Sequence, residues 1–280
     1  MHNRVWLAAG RWLAPFAAVA FGALFLAGGA VAQRAPGRPL PANVDAVYRI
    51  SFTALGNIGH FQFNSQVSGD SYRLTANAKI DTAIFDYKGD MKSEGVITPT
   101  GIQAQPRDYT FHYRQKTFLK KKKIKALNIA FNGPAVRAVT PPDPLSPKAV
   151  PVTPEQLRNV LDPLSGVMAL SLADISKPCE QKLPIYDGKQ RFDIVFKPLR
   201  RAGADHICEV GLIPVSGHKP GEGSTSVVNG KIELVMRPVP KANVVIPYSV
   251  SVPTIVGTAT LTSERVDITM PDSQRIALRR

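Results

Sequence analysis

Cysteine is almost missing from this chain: 280 residues hold two, Cys179 and Cys208, too few to scaffold a small disulfide-rich domain. Acids are scarce as well, 21 against 35 Lys and Arg, which leaves a formal charge of +14. Beyond the N-terminal segment histidine is confined to His60, His112, His206 and His218, at no metal-ligand spacing. No G-x-S-x-G, H-E-x-x-H or Walker A sequence is present, and Gly221-Glu222-Gly223-Ser224-Thr225-Ser226 lacks the last glycine of a dinucleotide loop. No cofactor and no metal are therefore expected, and the balance leans away from an enzyme. A dyad assembled in space from distant residues would leave no such signature. Past residue 32 no apolar run reaches membrane-spanning length. Apolar residues still make up 44%, which excludes a disordered chain and supplies a core.

What is present begins with an address. Arg4 and Arg11 precede an uncharged run from Trp12 to Ala32 ending in Ala30-Val31-Ala32. A positive start, an apolar middle and an A-x-A end make residues 1–32 a secretory signal peptide, cleaved after Ala32. The alternative is a retained anchor, although Pro15, Gly28 and Gly29 weaken such a helix. No cysteine follows the junction to accept a lipid. The expectation is a periplasmic protein with no transmembrane span in its mature chain; losing Arg4 and Arg11 takes the charge to +12. An oxidising compartment favours pairing Cys179 with Cys208, worth roughly 3 kcal/mol in the chain-entropy model. Zinc is poorly supplied, since His206 is the one further ligand beside Cys208.

Residues 33–44 are rich in Pro and small residues and read as a flexible lead-in. From Asp45 the apolar residues alternate: Tyr48, Ile50 and Phe52, then Phe61 and Phe63, then Tyr72, Leu74 and Ala76, with turns at Leu55-Gly56-Asn57 and Ser68-Gly69-Asp70. Such period-two runs predict an antiparallel meander, continued by 88–97 and 103–114. Six prolines between 138 and 154 exclude regular structure there, leaving an inter-domain linker or a connection packed over a sheet edge. Thr153-Pro154-Glu155-Gln156 and Asp162-Pro163 are helix starts, predicting helices over about 153–173. Strands return from Leu183 to Ile268, and 271–280 reads as a loose basic tail. Residues 45–270 are thus expected to form one mainly β domain, a curved antiparallel sheet or incomplete barrel with a short helical insert.

The segment from Arg107 to Lys125 holds eight Lys/Arg against Asp108 alone. Lys120, Lys121, Lys122, Lys123 and Lys125, mixed with apolar residues, suit an anionic surface such as lipid headgroups. They equally suit protection of a sheet edge. No nucleic-acid module is recognisable, and no nucleic-acid partner is expected. The aromatics Phe61, Phe63, Tyr109, Phe111 and Tyr113 are candidate liners of a concave apolar pocket, or core packing. Asp187, Arg191, Asp193 and His218 are the candidate polar site; an Asp-Gly turn held by an Arg–carboxylate pair is the structural reading of the same residues.

Several of these segments, in this order, resemble a bacterial exported family called domain of unknown function 3108. They are Tyr48-Arg-Ile-Ser-Phe with Ile58-Gly59, Asp162-Pro163-Leu164-Ser165, Cys179 followed by Leu183-Pro-Ile-Tyr-Asp-Gly-Lys-Gln-Arg-Phe-Asp, Cys208 followed by Pro214-Val-Ser-Gly-His-Lys-Pro, and Pro247-Tyr-Ser-Val-Ser-Val-Pro253. The resemblance implies a Gram-negative periplasmic protein and brings no established activity. The plan is also similar to the half-barrel of periplasmic lipoprotein carriers, by fold-level analogy. Three functions follow as expectations: a non-enzymatic binder of an apolar or amphipathic envelope molecule, an envelope interaction protein docking through the basic hairpin, and a cell-envelope hydrolase.

Overall fold

The computed structural model describes residues 39–98, 103–117, 121–141, 145–220 and 230–280. The signal peptide of 1–32, the lead-in through 38, residues 118–120, 142–144 of the Pro-rich connection, and Gly221 to Ser226 lie outside the described residues.

The alternating segments form two meanders. The first holds β1 (Asn43–Phe52), β2 (Gly56–Ser68), β3 (Ser71–Asp81), β4 (Phe85–Thr98), β5 (Gln103–Thr117), β6 (Lys123–Asn132) and β7 (Ala135–Thr140). The second holds β8 (Gln181–Tyr186), β9 (Arg191–Ala202), β10 (Asp205–Ser216), β11 (Ile232–Val239), β12 (Val244–Thr254) and β13 (Gly257–Thr269). They join through β1 and β13, antiparallel, in one sheet of order β7-β6-β5-β4-β3-β2-β1-β13-β12-β11-β10-β9-β8. Turns after β1, β3, β5, β8 and β12 stand at one end, the upper rim; those after β2, β6, β9 and β11 stand at the other.

The tail expected over 271–280 is corrected: Arg275–Arg279 is a strand, β14, paired with Arg265–Thr269 of β13. Its cause is a vacated edge. β12 leaves β13 at Ser249↔Thr262, and β14 takes the lower edge with Ile276 and Leu278 packed on the core.

Register shifts at Val47/Tyr48, Glu94/Gly95, Ala130/Phe131 and Val235/Met236, among others, bend the strands and curve the sheet. β7 and β8 do not pair, so the sheet is not closed into a barrel. Arg158 to Leu161 fills the seam instead, bridging Ala135 on β7 and Ile185 on β8. Asn159 N donates to Pro134 O at 2.6 Å, and Leu161 N donates to Pro184 O at 2.8 Å.

The helical insert is shorter than expected. Glu155–Leu157 makes only one 3-10 turn, with Gln156 Oε1 accepting from Thr153 N at 3.1 Å. The α-helix, α1, is Pro163–Ser171. It packs against β3, β4, β5, β8 and β12 over the lower half of the concave face. The Pro-rich connection is a strap rather than a linker: Val150 N donates to His218 O, and Gly217 N donates to Val150 O, both at 2.8 Å.

Candidate functional site

Asp162 caps α1 from a fully buried position. Its Oδ1 accepts from Leu164 N and Ser165 N, both at 3.0 Å; Oδ2 accepts from Ser93 Oγ at 2.9 Å and Ser165 Oγ at 2.5 Å. Tyr72 OH completes the group, 2.7 Å from Ser165 Oγ. Burial pushes the Asp162 carboxyl up, against four hydrogen bonds that favour its charged form. Gly95 makes room for this network, since a side-chain carbon there would collide with Tyr72 OH. The group fastens the helix to β3 and β4. Its members are buried from solvent, so it is a structural latch rather than a reaction centre.

Beside the latch, α1 and the concave face enclose an apolar cavity of ≈ 220 Å³. Val167 and Leu170 form its helical wall; Tyr48, Phe61 and Phe63 one side of the sheet wall; Ile194, Phe196, Val210, Ile232 and Leu234 the other. Val250 and Leu261 close the floor, and Ser249 and Tyr48 carry the only lining hydroxyls. Phe61, Ile194, Val210, Val250 and Leu261 are only half-buried, so the cavity meets solvent. Alternation carries the same apolar face upward through Ile50 and Phe52 toward the rim. A larger cleft of ≈ 450 Å³ lies at the seam, edged by Gln103, Gln105, Asn159, Gln181 and Lys182.

Of the five aromatic liners expected, Phe61 and Phe63 face the cavity; the other three do not reach it. Tyr109 is 3% exposed and packed in the core beneath α1. Phe111 and Tyr113 join Phe85 and Tyr87 in a row of stacked rings with centroid spacings of 5.1 to 6.2 Å on the uncovered upper half. Burial, with the charges of Tyr113 and Asp90, pushes the Tyr87 hydroxyl up to about 12.

The four polar candidates gather where β8, β9 and β10 end under the strap, and three of them, Asp187, Arg191 and Asp193, are committed to structure. Asp187 Oδ1 accepts from Lys189 N at 2.9 Å and Gln190 N at 2.6 Å, closing the Asp-Gly turn. Arg191 and Lys182 lie 2.7 and 2.6 Å from the two oxygens of buried Asp193. Burial raises the Asp193 carboxyl, and these two cations more than reverse it, leaving it below the ordinary range. Arg191 Nε also donates to Gln156 O at 3.2 Å. Among the described residues, Ser216 Oγ and His218 Nδ1 are buried without a hydrogen-bond partner.

Lys121, Lys122 and Lys123 are exposed on the β5–β6 turn at the upper rim, while Lys125 is half-buried opposite Tyr113. Lys120 lies outside the described residues. Cys179 and Cys208 are bonded, Cα to Cα 5.3 Å, tying the chain after α1 to β10 across β9. His206 is no zinc ligand here: its Nε2 lies 2.7 Å from Arg201 Nη2 and must accept, because a guanidinium offers only donors. Among the described residues no cluster of His, Cys, Asp or Glu could hold a metal, and no helix is long and apolar enough to cross a membrane.

Sequence reasoning missed Ser93, Ser165 and Tyr72 of the latch, and the cavity wall from the second meander, Ile194, Val210, Leu234 and Val250 among it. Only Asp162-Pro163 signalled the latch, as a helix start. No curated protein matches the chain. Among solved structures, a β-barrel-like protein of domain of unknown function DUF1849 from Brucella abortus is similar over 82% of this chain and 99% of that one, at 10% identity and a TM-score of 0.46. The model of one family, described as a protein of unknown function (DUF3108), matches residues 47–204, more than half of the sequence. The stretch it covers runs from β1 through the latch and the Asp187 turn to the end of β9, and the chain belongs to that family.

Proposed function

We propose that this protein is exported to the periplasm and there binds, without catalysis, an apolar or amphipathic envelope molecule in the cavity between α1 and the sheet. The observation that carries the reading is the wall itself: aliphatic and aromatic side chains around ≈ 220 Å³, with two hydroxyls. That space exceeds the roughly 150 Å³ in which an engineered apolar cavity takes up benzene. It is smaller than the roughly 300–1,000 Å³ of a pocket for a drug-sized ligand. It suits the end of an acyl chain or a single ring, with the rest of the molecule along the apolar face above. The N-terminal pattern and the cystine support export.

Titration with the neutral fluorophore N-phenyl-1-naphthylamine tests the reading. Saturable 1:1 enhancement is expected, weakened at least tenfold by Leu261→Trp and by Val210→Trp, which fill the space from different strands. Absence of saturable binding, or binding indifferent to both substitutions, would overturn it.

A further inference from the structure

We propose that the upper rim docks on an anionic phospholipid bilayer, its turn tips entering the boundary between headgroups and acyl chains while Lys121, Lys122 and Lys123 meet the headgroups. This does not rest on the cavity holding a ligand. It rests on a contrast between the two ends of the sheet. Of the large apolar side chains exposed among the described residues, all but Leu145 stand at the upper rim: Leu55, Ile84, Ile124, Ile213, Ile255 and Val256. Among the described residues the opposite turns are Gly69-Asp70, Gly133-Pro134, Gly203-Ala204 and Pro240-Lys241-Ala242-Asn243, with no large apolar side chain. Single exposed aliphatics are ordinary, but their confinement to one end is not.

The tips are also built to lose water. Three of them repeat one plan, a threonine before the apolar residues: Thr53-Ala54-Leu55, Thr82-Ala83-Ile84 and Thr254-Ile255-Val256. Thr53 Oγ1 donates to Thr258 O and accepts from Thr258 N, both at 3.1 Å. Thr82 Oγ1 donates to Phe85 O at 3.1 Å and accepts from Phe85 N at 3.0 Å. Thr254 Oγ1 donates to Gly257 O at 2.6 Å and accepts from Val256 N at 3.3 Å. Turn backbone that water would otherwise satisfy is satisfied from within, which lowers the penalty of entering the interface.

Charge selects the partner. Lys121 to Lys123 share the rim with Lys79, Lys88, Lys116 and Lys189, against Asp81, Asp86 and Asp187; Asp86 is engaged by Arg114 at 3.2 Å and Asp187 by the backbone of its own turn. A second copy meeting this rim would set lysines against lysines; an anionic headgroup layer complements them.

The test is flotation of the full chain with vesicles of phosphatidylglycerol and phosphatidylcholine. Because both native cysteines are bonded, a label can be placed on Ile84→Cys, or on Asp70→Cys at the opposite end. An environment-sensitive dye at position 84 should brighten several-fold on vesicle addition, and at position 70 it should not, which separates rim docking from any contact made by the N-terminal segment. Leu55→Ser with Ile84→Ser and Ile255→Ser should abolish the brightening of a dye placed at Val256→Cys, with an unchanged circular dichroism spectrum. Lys121→Glu with Lys122→Glu and Lys123→Glu should weaken it at least tenfold. Equal brightening at both ends, insensitivity to the serine variant, or equal response to pure phosphatidylcholine would overturn the proposal. Concentration-dependent dimers dispersed by the serine variant, without a vesicle response, would overturn it in favour of a second copy.

Discussion

Asp162 shows how much one side chain can organise. It closes the N-terminus of α1, and through Ser93, Ser165 and Tyr72 it fixes the helix against the strands. Removing it takes away the cap, worth about 1 kcal/mol, and leaves buried hydroxyls short of an acceptor, so Asp162→Ala should cost about 3 kcal/mol in urea unfolding. The pH dependence has a definite sign. The folded carboxyl holds its proton more tightly than the unfolded one, whose ordinary value is 3.8, so this residue favours the folded state in acid. Its contribution is lost as pH rises from about 4 through the folded value. Asp162→Asn keeps the cap acceptor and should remove this slope, so the difference in urea midpoint between wild type and the asparagine variant should change in the variant's favour as pH rises. A difference that stays flat with pH would contradict a buried, titrating carboxyl.

At the scale of elements, alternation and turn chemistry revealed most strands, because a half-buried antiparallel sheet writes its period directly into the chain. The Asp162-Pro163 signal marked where α1 begins, while the helix expected from 153 is a single 3-10 turn. β14 was hidden for a physical reason: Arg275-Ile276-Ala277-Leu278-Arg279 alternates with only two large apolar residues, and what makes it a strand is the edge that β12 vacates on β13. Truncation after Met270 tests that reason. It removes the half-buried Ile276 and Leu278 and should lower stability by about 2 kcal/mol, measured by chemical denaturation. Unchanged stability would mean that the strand adds nothing. The candidate site was less legible than the fold. Phe61 and Phe63 reached the cavity, but Ile194, Val210, Leu234 and Val250 come from the other meander, and only the pairing of β1 with β13 brings the two walls together. Sequence spacing carries no record of that pairing.

For the whole molecule, the seam segment Arg158–Leu161, the strap and the cystine hold together a sheet that never closes through its own edge strands. The join in the middle has a different consequence, one of time. Within each meander nearly every strand pairs with its neighbour in sequence, so each can zip from local turns. β1 and β13 must instead find each other across more than 200 residues, Phe52↔Ala259 being the least separated pair. Loop closure over that distance places this pairing late in folding. Pulse-labelled hydrogen exchange during refolding should protect β3–β5 and β9–β10 before the amides shared by β1 and β13, and simultaneous protection would refute this order. Until the join is made, two half-sheets each display an unsatisfied central strand, the kind of edge that pairs with another chain. The molecule is most vulnerable to aggregation in that interval, and a chain interrupted before β13 would stay there.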